Sequence, residues 1–364
     1  MKTDSILSTQ LLIDNNCQFL LTCCITDSSE VFLCHWRKWK KVQDFDLLDF
    51  ESLILIPIFY KQVEKFNIVD ENKARYKGIY KKSWVNTVQF SQDIFSTLVE
   101  LKELNIPFWI VGSIAIENIY YKDCGVLRSN GVEIIINSKS IKQVLDFLIQ
   151  NGYCFKDKKA SNEFSVTKLS YGKQLQLVSK IGSILYISIG GFPLMLHNED
   201  FENNQIDFNW NLYILHTLRP ELEVLRLILN SFFDKSKNHL LWIISIKKIL
   251  DSLNTTFDWK YFNQLAIKYE VTNIVGVRLQ MLIQNNINYI PIEYKNQLLN
   301  IDSSFNLALL KFQNKHTKIE IFKFNSLIYK KMKQGTDVSW FEYLKVIFNS
   351  VSFIDILSRI LKKR

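Results

Sequence analysis

With 364 residues, 48% of them hydrophobic and 22% charged, the chain carries enough apolar material for a large core divided among two or three subdomains. Scarce breakers (11 Gly, 5 Pro) beside 26 Phe predict a mostly helical α+β protein with a modest sheet. A net charge of +9 suits an anionic partner such as a nucleotide, nucleic acid or membrane face, or else a plainly solvated Lys-rich surface. No RNP, KH, zinc-finger or basic-zipper pattern is present, so nucleic acid is a possible but not a favoured partner.

In chain order, 1–105 reads as an N-terminal helical region. Phe19 to Ile25 is a short apolar helix, and Leu47 to Phe66 is a second one that Pro57 is expected to kink or split. In Asn72 to Leu104, the aromatics Tyr76, Tyr80, Trp84 and Phe95 fall mostly on one helical face and read as core. Four of the six cysteines (Cys17, Cys23, Cys24, Cys34) lie in this region as small buried hydrophobes. With no CxxC and no metal-ligand spacing to the histidines, the cysteines point to a reduced compartment. The N-terminus lacks a secretory pattern, and the longest apolar run, Leu53 to Tyr60, is too short to span a bilayer, so a cytoplasmic location is expected.

Residues 106–193 change character. A strand at Phe108–Val111 runs through Gly112 into a helix capped by Ser113 and reaching Tyr121. Then come a strand at Val132–Ile136, a helix at Ser140–Asn151, and β-like runs at Tyr153–Phe155, Phe164–Leu169 and Ile184–Ile189. A strand ending at Gly-Ser before a helix places free N–H groups where a phosphate can sit. Residues 194–300 read as a C-terminal helical bundle, with helices at Glu221–Phe233, Asn238–Leu253, Trp259–Tyr269 and Ile274–Gln284. Residues 301–364 read as terminal helices. The last of them, 340–364, is amphipathic with a basic end; it is expected to pack, with peripheral membrane contact as the alternative.

Several stretches together resemble a family of uncharacterised bacterial nucleotidyltransferases in the polymerase-β-like superfamily, of which this chain would be a divergent member. They are Leu101-Lys-Glu-Leu-Asn-Ile-Pro-Phe-Trp-Ile-Val-Gly-Ser, Tyr120-Tyr-Lys-Asp-Cys-Gly-Val-Leu-Arg128, Leu145-Asp-Phe-Leu-Ile-Gln-Asn-Gly-Tyr153 and Leu218-Arg-Pro-Glu-Leu-Glu-Val-Leu225. Asn238-His-Leu-Leu-Trp242 and Phe257-Asp-Trp-Lys-Tyr-Phe-Asn-Gln-Leu-Ala266 follow in the same order. The resemblance implies that 106–193 is the nucleotidyltransferase-like α/β core. Gly112, Ser113 and Arg128 would bind an NTP, and strand carboxylates would hold Mg²⁺ for nucleotidyl transfer to a hydroxyl acceptor.

In that family the metal strand carries Asp-x-Asp, whose alternation puts both acids on one face. Here it reads Gly131-Val132-Glu133, so Glu133 alone keeps a carboxylate. The third acid aligns either with Leu185–Ile189, which contains none, or with Ile206–Leu212, which contains Asp207. Spacing to the following helix favours the first. Glu133 and Asp207 are thus the candidate catalytic and metal residues, with Glu117 and Asp123 as substitutes less well placed. Three functions follow from the sequence: a transferase with a drifted metal site, a catalytically inactive nucleotide-binding or protein-interaction module, and a basic adaptor on nucleic acid or membrane. A Tyr186 or Ser188 opposite Glu133 would argue against the first.

Overall fold

The fold is taken from a computed structural model, which describes residues 15–156, 174–189, 198–233, 240–269, 271–291 and 294. The expected strand at Phe164–Leu169 and the terminal helices of 301–364 lie outside the described residues.

Four helices make the N-terminal region: α1 (Asn15–Ile25), α2 (Ser29–Val42), α3 (Phe50–Lys65) and α4 (Lys73–Glu103). Helix α2 falls inside the region expected to be helical, though the sequence reading sets no bounds for it. Ser28 starts it by accepting a hydrogen bond from the Val31 N–H, with Glu30 in the first turn and Lys40 and Lys41 in the last, as the helix dipole favours. Helix α3 runs unbroken through the buried Pro57, so no split occurs. Asp49 caps it at the Ser52 N–H, and its buried residues pack on α1 and α4. Cys17, Cys23 and Cys24 are buried, but Cys34 is exposed on α2, contrary to expectation. Trp84 departs in the same way: it is 43% exposed while Tyr76 is buried. Each step of four residues turns about 40° around a helix, so eight residues carry Trp84 off the buried face.

The sheet follows: β1 (Phe108–Val111), α5 (Ser113–Ile116), β2 (Val132–Ile136), α6 (Ile141–Gln150), β3 (Cys154–Phe155), β4 (Leu175–Val178) and β5 (Ile184–Ile189). Its order is β1-β2-β5-β4-β3, mixed, with β2 and β5 parallel and the other pairs antiparallel. After α5 the chain loosens into a π-helical turn, Glu117–Tyr121.

Strand alternation gives the sheet two different faces. Phe108, Ile110, Val132, Ile134, Leu185 and Ile187 point into one core with α4 and α6. Trp109, Val111 and Ile135 point into the other, shared with the C-terminal helices. Glu133 belongs to this second face. Its register partners are Val111 on β1 and Tyr186 on β5.

Beyond the sheet, α7 (Asn198–Asn203) leads to a hairpin, β6 (Gln205–Trp210) and β7 (Tyr213–Leu218), which packs beside β1. Helices α8 (Pro220–Phe233), α9 (Leu241–Leu253), α10 (Trp259–Lys268) and α11 (Thr272–Gln284) form the expected bundle. Helix α8 lies at its centre, contacting α9, α10 and α11. No described helix is long and apolar enough to cross a membrane.

Candidate functional site

The Gly112 turn forms where β1 ends. Gly112 has φ +71° and ψ −149°, a conformation open to glycine and costly for a residue with a Cβ. The space is closed as well, because a Cβ there would lie 2.9 Å from Glu133 Oε2 and 3.5 Å from Arg226 Nη2. The turn therefore brings Gly112 and Glu133 together, as expected, and it also brings a residue that the sequence had not marked.

That residue is Arg226, on the face of α8 turned to the sheet and only 1% exposed. Its Nη1 donates to Glu133 Oε1 at 2.9 Å. Its Nε and Nη2 donate to Glu223 Oε2 and Oε1 at 2.7 and 2.8 Å, a two-point fork of the kind guanidinium geometry favours. Glu223 Oε1 in turn accepts the backbone N–H of Gly112 at 3.1 Å. Burial works against the guanidinium charge, but Glu133 and Glu223 outweigh it and hold Arg226 protonated.

Two features expected of a substrate site are thus taken by the chain itself. The Gly112 N–H, offered to a phosphate, is bound to the Glu223 carboxylate. The Glu133 carboxylate, offered to a metal, is bound to a guanidinium. Ser113 stays half-buried at the start of α5, whose α-helical part is only four residues long.

Gly131 has its own structural reason. A Cβ at that position would sit 2.1 Å from the Ile184 carbonyl oxygen and 2.9 Å from Tyr186 Cε2. The start of β5 occupies the volume that an aspartate would need. On β5 the residue level with Glu133 is Tyr186. The strand beside β2 therefore presents a phenol, not an acid, level with Glu133.

Asp207 lies on β6 with its side chain outward, while Phe208 and Trp210 face the core. It pairs across the hairpin with His216, Nδ1 to Oδ1 at 2.7 Å, and is 64% exposed. Arg128, with φ +41°, sits half-buried over the Phe50 ring at 5.9 Å, and desolvation lowers its pKa. Asp123 is bound by Tyr80 Oη and Lys61.

Glu117 is fully buried. It accepts the Leu127 N–H at 2.7 Å and leaves Oε2 without a hydrogen bond. Burial pushes its pKa up to about 8, against backbone bonds that lower it. This carboxyl holds the loop ahead of β2 and is occupied in doing so.

The donor set does not fit Mg²⁺. An octahedral ion with oxygen ligands at about 2.0–2.1 Å needs carboxylates free to converge, and here the available acid is neutralised by Arg226. Among the described residues no group of three His, Cys, Asp or Glu side chains could hold a metal ion. Two surface depressions, of about 430 and 500 Å³, are lined by residues of α2 and by Leu104 with residues around α6, and contain neither Gly112 nor Glu133.

No family model matches the chain, and no curated protein does. Among solved structures, the chain is similar to an antigenic nucleotidyltransferase-like protein from Paracoccidioides brasiliensis, at 12% identity and a TM-score of 0.34, over 53% of this chain and 93% of that one. Likeness of that degree carries no argument about activity, which has to rest on the site.

Proposed function

We propose that this protein is a nucleotidyltransferase-like module that does not transfer nucleotides and acts by binding. The carrying observation is the buried Arg226, whose guanidinium stands at 2.9 Å from Glu133 where a transferase would place its metal. Support comes also from Glu223 on the Gly112 N–H and from Ile184 filling the space beside Gly131. A phosphate approaching the turn would have to displace a carboxylate already held by a charge-assisted fork. A metal approaching Glu133 would meet a fixed positive charge. Both costs arise before any chemistry starts.

The test is incubation with α-labelled NTPs, Mg²⁺ or Mn²⁺ and a panel of hydroxyl acceptors, beside calorimetric titration of NTP with and without Mg²⁺. The expected result is no transfer of label, with any NTP binding indifferent to Mg²⁺. Mg²⁺-dependent transfer that disappears in Glu133→Gln would sink this reading and restore a transferase with a drifted site.

A further inference from the structure

A second feature lies away from this site, on α4. From Lys73 to Gln92 the helix carries Lys73, Arg75, Lys77, Lys81 and Lys82 and no acid. Its first turn holds Lys73 and Arg75 and no acid, although the positive end of a helix disfavours cations. Lysines four apart repel one another on a helix surface. Arg75 is relieved by Asp46, but among the described residues Lys73, Lys77 and Lys81 have no carboxylate partner.

The placement of these side chains is regular. At about 100° per residue, Lys73, Lys77, Lys81 and Trp84 fall within an arc of about 80°, the lysines stepping by about 6 Å along the axis. Trp84 is 43% exposed and packs into neither hydrophobic core. Among the described residues its ring stacks on no other. Its base is fixed: Gly125 lies so close that a Cβ would meet Trp84 Cβ at 2.8 Å and Cα at 3.1 Å. The loop before β2 thus buttresses one side of the tryptophan and leaves the rest of the ring to solvent.

We propose that this face of α4 binds single-stranded nucleic acid, the three lysines following the phosphates and Trp84 stacking on a base. A ladder of unpaired cations ending in an anchored aromatic is the combination such binding uses. One half-exposed aromatic offers too little apolar surface to hold a membrane. An acidic peptide would satisfy the lysines but leave the ring unused. The protein's net charge of +9 would speed the encounter.

The test is fluorescence anisotropy of labelled 20-mer oligo-dT and oligo-U with the full chain, from 50 to 200 mM salt. Neutralising three phosphates predicts a log–log salt slope of about −2. Lys73→Gln/Lys77→Gln/Lys81→Gln should remove that slope, and Trp84→Ala should weaken binding roughly 5- to 100-fold. Circular dichroism and thermal midpoints like those of wild type would show that the variants fold. For a variant that does not fold, charge reversal at Lys77 alone serves the same comparison. Phosphatidylserine vesicles and poly-glutamate are the competing probes. Failure to bind either oligonucleotide at 50 mM salt, oligonucleotide binding unchanged in the triple variant, or binding of vesicles or poly-glutamate but not oligonucleotides would overturn the proposal. It stands apart from the reading of the Gly112 site.

Discussion

Replacing Arg226 by methionine tests the ion-pair network at its centre. The change keeps an unbranched apolar stem, two atoms shorter, and deletes three charge-assisted hydrogen bonds, of 2.7, 2.8 and 2.9 Å. Glu223, 5% exposed at its side chain, would remain facing the 21% exposed Glu133 with no cation between them. Stranding one partner of a buried pair typically costs about 3–5 kcal/mol. At an m-value of about 3 kcal/mol per molar urea, the unfolding midpoint at pH 7 should fall by roughly 1–1.7 M. Adding Glu223→Gln and Glu133→Gln to Arg226→Met removes the stranded charges and should recover most of the loss. A single variant within about 1 kcal/mol of wild type, or a triple variant no more stable than Arg226→Met alone, would refute the network as described.

Other substitutions probe the surrounding claims. Gly131→Asp adds an acid two residues before Glu133 but drives a Cβ to 2.1 Å from the Ile184 carbonyl; it should cost at least about 1–3 kcal/mol in urea unfolding and yield no transfer activity. Glu117 has a folded pKa raised by burial from 4.5 to about 8, so the stability it supports is complete below about pH 4.5 and drains away as pH rises through 8. Glu117→Gln should therefore match wild type near pH 4.5 and exceed it by on the order of 5 kcal/mol at pH 9, measured by denaturant midpoints; a difference independent of pH would contradict the assignment. Asp207→Asn breaks only an exposed pair with His216 and should shift stability by less than about 0.5 kcal/mol, without altering NTP titrations.

Local signals account for most of what could be read in advance. β1, β2 and β5 are short apolar runs bounded by Pro107, Gly112, Gly131 and Gly190, and the structure has them within a residue of their expected ends. The bundle helices α8 to α11 were equally plain from their periodicity. Helix α2 lies inside the stretch that reads as helical but has no bounds drawn there, although Ser28, Glu30, Lys40 and Lys41 mark its two ends and Phe32, Trp36 and Trp39 recur at helical spacing on its inner face. β4 was missed because Leu175–Val178 is only four residues long, and recognising it depends on its pairing with β5. At Pro57 the expected split is absent. The proline's lost hydrogen bond made a break plausible, but the packing of α3 on α1 and α4 keeps the helix whole.

Glu133 stands out in the sequence as the one carboxylate of its strand, but its partner does not, because 93 positions separate it from Arg226. A partial signal existed. In Leu222-Glu-Val-Leu-Arg-Leu-Ile-Leu229, two charges stand in a segment apolar on every side. Such a helix is buried all round, and a buried charge requires a partner. Glu223 and Arg226, three apart, satisfy each other, which makes the pair look self-sufficient in sequence. Arg226, however, has a donor left over after its fork to Glu223, and Glu223 still accepts from a backbone N–H. The spare Nη1 required a carboxylate from elsewhere, and the sheet face toward α8 provides Glu133. The glycine at 131 and the arginine at 226 therefore belong to one arrangement: β5 fills the space beside Gly131, and α8 supplies the positive charge that Glu133 pairs with.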